Sequence, residues 1–363
     1  MNEIYRINDL RELDHFKTKT FSGFKKTDVM NTIFKSIESK KIESACHWMT
    51  ECIISGYSLQ LWEKLILFGS KIIHINNPQL PLYLYKKNKI FNNQLKHLNL
   101  KKNKNDILLL RNSQMIRNLF SDIITTLSTS SKTKRYDKYP KINEDTDFNF
   151  YDIQKRLCAE MNILPDGIIQ FNDPNELKII VNEIFTLLKN QQFGYERSCY
   201  WILWLVKWET LHKKKKLPYT IEYRDIPNIP KKYQNNFIWI IWEIILKEVQ
   251  LRKDKNIEKQ IKCLYELFKY NYTNGKRTSK LPLIFNSIGY LTHKINFNTP
   301  IRNDYHIFIQ VQCNVNKLFA DKKLHEINND HLIEKIKKKP KKQKINKEIL
   351  NDKITLFNDI DNI

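Results

Sequence analysis

One large class of metal-dependent nucleases needs two carboxylates to hold a divalent cation and a lysine to position the attacking water. These are presented as Pro-Asp, then Glu-x-Lys. Pro165-Asp166 followed by Glu176-Leu177-Lys178 has that spacing. The same stretch also has a plainer reading. In Asp173-Pro174-Asn175-Glu176 the residue types fit the N-cap, N1 and N3 positions of a helix, whereas the nuclease pattern sets its Glu and Lys on a strand. Capping is the stronger reading, and Asp166, Glu176 and Lys178 remain as a catalytic alternative.

The other reactive constellations are weaker. Gly275-Lys276-Arg277-Thr278 is like the end of a phosphate-binding loop, but Tyr270 stands where the first glycine belongs, so Asn274-Gly275 reads as a turn. Glu144, Asp145 and Asp147 read as an acidic loop. Cys46 and Cys52 are six residues apart, outside the close pairing of zinc ligands. No nucleophile elbow or Ser/His/Asp order is recognisable. No metal and no cofactor are expected, and the chain reads as non-enzymatic.

Basic residues carry a clearer message. Lys86, Lys87, Lys89, Lys96, Lys101, Lys102 and Lys104 fall in a stretch without one acidic residue, interleaved with Phe91 and preceded by Tyr83 and Tyr85. Further clusters are Lys132, Lys134 and Arg135; Lys213, Lys214, Lys215 and Lys216; and, within the eight lysines of 335–347, Lys337, Lys338, Lys339, Lys341 and Lys342. Across 363 residues, 62 Lys and Arg against 39 Asp and Glu leave a net charge of +23. A surplus of that size favours a polyanionic partner. The competing explanation is codon bias, because the chain is also rich in Asn and Ile. Clustering argues for function: a nucleic-acid-associated accessory protein in replication, transcription or packaging, reading the phosphate backbone with little sequence specificity. The alternative is an assembly protein, such as a virion component, whose Trp-rich helices make oligomer or partner contacts.

The elements that position these residues are expected to be helices. Seven Gly and eleven Pro are far below ordinary usage, which disfavours hairpins and barrels. Apolar residues recur at helical spacing, as in Ile42, Cys46, Met49 and Ile53. The expected fold is all-α, built of helical hairpins. Its organisation reads as a weakly structured segment 1–26, a helical domain 27–127, a linker 128–147, a second helical domain 148–320 and a basic, disordered tail 321–363. One continuous helix is expected from Ile107 to about Leu127. The apolar run Phe237–Leu246 is too short to span a bilayer. With no leader-like N-terminus and six scattered cysteines, the expected setting is the cytoplasm or nucleus.

Three segments echo one another: Ala45-Cys46-His47-Trp48, Ser198-Cys199-Tyr200-Trp201 and Lys262-Cys263-Leu264-Tyr265. They suggest repeated hairpins, each burying a cysteine beside an aromatic ring. The first, with Gly56, Leu65, Phe68, Ser70, Ile73 and Asn77-Pro78, resembles part of the helical C-terminal region of RarA-type clamp-loader-like ATPases. The resemblance covers residues 45–78, Asn77 stands where that family has an acidic residue, and the ATPase module has no counterpart. It implies a collar-like helical domain that assembles near DNA, without ATP hydrolysis. In composition the whole chain is similar to Lys/Asn/Ile-rich proteins of large DNA viruses.

Overall fold

A computed structural model describes residues 3–133, 141–302 and 304–327. Among these residues the regular structure is helical, apart from one isolated bridge between Lys19 and Lys25. The fold is all-α. None of the described helices is long and apolar enough to cross a membrane. The α-helices are α1 (Lys26–Glu38), α2 (Ile42–Ile54), α3 (Ser58–Phe68), α4 (Leu80–Lys96), α5 (Gln114–Thr129), α6 (Glu144–Asp147), α7 (Phe150–Arg156), α8 (Asn175–Leu187), α9 (Gly194–Lys215), α10 (Ile238–Arg252), α11 (Lys255–Lys269), α12 (Arg277–Thr292) and α13 (Tyr305–Lys322).

The chain forms two compact units. The first gathers Met1–Phe68, Lys86–Ser131 and the chain from Ile301. The second gathers Gly69–Tyr85 and Lys132–Pro300. This division differs from the contiguous domains 27–127 and 148–320 expected from sequence. The difference is α13. Its apolar stripe, Val311, Val315, Leu318 and Phe319, is buried, and the helix packs on α5 and α2 of the first unit. Sequence reading groups neighbours along the chain and has no signal for such a return. In the expected linker 128–147, Ser128 and Thr129 finish α5 and Glu144–Asp147 forms α6. Residues 134–140, and all but 321–327 of the expected tail, lie outside the described residues.

In the first unit α1 and α2 make a hairpin whose turn is set by Lys40 in the left-handed region, φ 59°. Gly56 (φ +77°) then reverses the chain into α3, and that left-handed backbone favours glycine. Trp62 of α3 packs between Phe91 and Phe120, with ring centroids at 4.7 and 5.5 Å. The expected helix from Ile107 is interrupted: a 3₁₀ segment, Lys104–Asn112, is followed by α5, with the Ser113 hydroxyl accepting from Ile116 N–H to start it.

The described part of the N-terminal segment has two short 3₁₀ turns, Glu3–Tyr5 and Leu13–Phe16, and it is not loosely held. Ile7, Phe16 and Phe21 are buried. Arg11 is chelated by Asp9, lies 4.3 Å from the Phe21 ring centroid, and donates to the His325 carbonyl.

In the second unit α8 and α9 pair, α10, α11 and α12 pack in succession, and α9 also lies on α12. Trp201, Trp208, Trp239 and Trp242 are buried here. Trp242 packs on Tyr265 and Phe268, at 5.1 and 5.3 Å. The apolar run at 237–246, too short for a bilayer, is therefore core.

Candidate nucleic-acid interface

The basic stretch 86–104 is a helix face and the turn that follows it. In α4, Leu84, Asn88 and Phe91 turn inward, while Lys86, Lys89, Ile90, Asn93 and Lys96, with His97 just past the helix end, are exposed. The second set recurs at intervals of three and four, so it lies along one side of the helix. Lys86 to Lys96 spans ten residues, about 15 Å at ~1.5 Å per residue. That matches roughly four phosphates of one strand at ~3.4 Å of axis each. Lys101, Lys102 and Lys104 are also exposed and extend the positive surface past the helix end. The Asp106 carboxylate fixes their turn by accepting from Asn99 N–H at 3.0 Å and from Asn103 Nδ2 at 2.7 Å.

Two residues of that stretch do other work. Lys87 is half-buried and ion-paired with Asp122, which Arg302 also grips. It is a strut of the first unit rather than a phosphate ligand. Phe91, one of the aromatics that suggested stacking, has no accessible surface and lies in the Trp62–Phe120 cluster. Nothing in the sequence distinguishes Lys87 from Lys86; only the buried stripe of α4 does.

Of the remaining clusters, the one described in full, at 213–216, is less suited to a phosphate backbone. Lys213, Lys214, Lys215 and Lys216 are exposed at the C-terminus of α9, where Lys216 caps the helix in the left-handed region, φ 57°. Cations there are favoured by the helix dipole whatever they bind. Lys213 also pairs with Glu209 at 3.3 Å. Glu144 pairs with Lys207, and Lys214 and Lys215 are near enough to add to the field that lowers its pKa. Lys132 is partly covered. Lys134, Arg135, Lys337, Lys338, Lys339, Lys341 and Lys342 lie outside the described residues.

The nuclease alternative loses its scaffold. Asp166, Glu176 and Lys178 are exposed, and Glu176 and Lys178 sit in the first turn of α8, where the pattern demands a strand. Among the described residues, no group of three or more His, Cys, Asp or Glu is placed to hold a metal ion. Asp173 is not the N-cap of α8. It is buried, accepts from Gln170 N–H and Glu222 N–H, and pairs with Arg224 at 2.6 Å. Arg224 also reaches Glu243, which explains the acidic interruption of the apolar run.

Buried polar groups that the sequence did not reveal hold each unit. In the first, Glu51 of α2 pairs with Lys322 of α13 at 2.6 Å, both almost inaccessible. Glu51 also accepts from Ser22 N–H at 2.6 Å and from the Ser22 hydroxyl at 2.9 Å. Burial alone would raise the Glu51 pKa, but the Lys322 charge and these hydrogen bonds outweigh it and bring it down to about 2. In the second unit, His74 has a left-handed backbone, φ 55°, and sits on Gly289 so closely that a Cβ there would meet its Cε1 at 2.4 Å. Burial and the neighbouring His293 bring the His74 pKa down to about 3, so the ring is neutral.

The four cysteines Cys46, Cys52, Cys199 and Cys263 are buried as free thiols, as their helical setting implied. Cys158 is half-exposed and Cys313 exposed. Charge is carried by the body as well as the tail: residues 328–363 hold nine lysines against six carboxylates, so only three of the net +23 lie there.

Comparison of the chain with protein-family models, with curated proteins and with solved structures finds no match.

Proposed function

We propose that this protein is a non-enzymatic accessory factor that binds nucleic acid through its phosphate backbone, in replication, transcription or packaging. The observation that carries the reading is the exposed stripe Lys86, Lys89 and Lys96 on α4, continued by Lys101, Lys102 and Lys104 in the next turn. Six cations on consecutive elements, with no carboxylate in the stretch 86–104, present a track of positive charge to a strand. Such contacts position a duplex or single strand without reading bases. The assembly alternative draws less support. All seven tryptophans are buried, so none is left on the surface to anchor an oligomer.

The test is fluorescence anisotropy of labelled single-stranded DNA, duplex DNA and RNA against the full chain over a salt series. Log affinity should fall linearly with log salt, with a slope of about −3 to −5 for four to six phosphate contacts. Absence of binding at low salt to all three would overturn the proposal.

A further inference from the structure

We propose that the acidic segment 348–363 of this same chain docks on the α4 lysine stripe and competes there with nucleic acid. The docking stands on charge and connectivity, whereas the competition rests on the nucleic-acid reading above.

The first argument is charge. Glu348, Asp352, Asp359 and Asp361 stand against the single Lys353, so a basic chain carries a net negative stretch of sixteen residues. Apolar Ile349, Leu350, Ile354, Phe357 and Ile360 alternate with these carboxylates. The α4 surface offers the complement. Lys86, Lys89 and Lys96 flank the exposed Ile90 on one helix face, so carboxylates and apolar groups find partners together. The preceding stretch 335–347, with eight lysines, has no electrostatic reason to settle on this surface. In sequence it lies between the acidic segment and the last described residue, Ile327.

The second argument is where the chain leaves the body. Leu10 N–H donates to the Ile327 carbonyl, and Ile327 N–H donates to Asp9. The Asp9 carbonyl accepts from Arg111, and Leu13 N–H donates to Asn105 Oδ1 at 3.0 Å. Asn105 immediately follows Lys104. The exit at Ile327 and the Lys101–Lys104 turn are therefore joined by short hydrogen-bonded steps within the first unit. A connection of twenty residues, 328–347, reaches at most about 70 Å, which is long enough to return to the stripe. A tether of that length gives an effective concentration on the order of 1 mM. A segment of modest intrinsic affinity, on the order of 0.1 mM, then occupies the stripe most of the time and weakens a competing polyanion about tenfold.

Two measurements on the full chain separate this proposal from the function it modulates. Zero-length carbodiimide coupling joins a carboxylate to an amine only when the two are paired. Mapped by mass spectrometry at low salt, Asp352, Asp359 and Asp361 should couple to lysines within 86–104, and the products should fade at high salt. Products confined to Lys335–Lys347 or to Lys213–Lys216, or none at all, overturn the docking. The variant Glu348→Gln, Asp352→Asn, Asp359→Asn, Asp361→Asn should bind single-stranded DNA about tenfold tighter than the parent chain at low salt. Equal affinity overturns the competition. If neither protein binds any nucleic acid while the coupling to 86–104 persists, the docking stands and the nucleic-acid function falls.

Discussion

Lys322 is one of many lysines near the end of a basic chain, and by composition it belongs on the surface. In the fold it is the counter-charge of Glu51, and both are out of water. Removing one member of such a pair leaves a buried charge uncompensated, at a cost of about 3–5 kcal/mol. Lys322→Met should therefore lower the denaturation midpoint sharply, and Glu51→Gln in the same chain should recover much of the loss; urea titration followed by circular dichroism checks both. His74 governs a second response. Its folded pKa of about 3 lies below the ordinary histidine value of 6.5, so protons bind the unfolded chain first. The stability it supports is complete above pH 6.5 and falls as pH drops toward 3, by about 1.4 kcal/mol per pH unit. Glu51, held at about 2, adds a loss of the same sign that begins below pH 4.5. His74→Asn retains a residue that tolerates positive φ but cannot titrate. Thermal melts should show a lower midpoint at pH 7 and a flatter decline between pH 6.5 and 4.5; an unchanged slope would count against the role given to His74. Gly289→Ala, which forces a Cβ into the His74 ring, should destabilise by about 1–3 kcal/mol.

The helices themselves were legible because their apolar residues recur at three and four, and some ends carry a capping residue, such as Ser113 before α5 and Asp254 before α11. Helix α2, for one, spans the whole of the Ile42, Cys46, Met49, Ile53 period. Helix α4 was harder to see. Its lysines mask the period in composition, yet Leu84, Asn88 and Phe91 supply a buried stripe, and Asn88 accepts from Trp62 Nε1–H at 2.8 Å. That stripe separates structural Lys87 from exposed Lys86 and Lys89, which a charge count alone does not do. A paired substitution makes the distinction measurable. Lys86→Ala, Lys89→Ala, Lys96→Ala should leave the melting temperature within a few degrees and reduce the salt slope of DNA binding by about 2–3. Lys87→Ala should do the reverse, lowering stability through loss of one of the ion pairs that hold Asp122 and leaving the slope nearly unchanged. Helix α13 shows the limit of pattern reading. Its own period is clear in Val311, Val315 and Leu318, but a period says which face is buried, never which helix covers it.

Considered whole, the molecule carries its positive charge on folded elements, and its chain returns from the second unit to complete the first. The extended segment before α1 was legible as irregular but not as buried, because the Arg11–Asp9 chelate and its bond to His325 join positions more than 300 apart in the chain. Stopping the chain after Pro300 should therefore unfold the first unit rather than trim an appendage, as loss of protection around α2 and α5 in hydrogen exchange would show. The seven tryptophans, none more than 4% exposed, have a spectroscopic consequence. Indole emission from the native chain should be blue-shifted and resistant to acrylamide. A base stacked on the surface has no indole to quench, so a ligand that dims this emission must have disturbed a core. The steady glow of a saturated complex would mark a protein that holds its partner by charge at its skin.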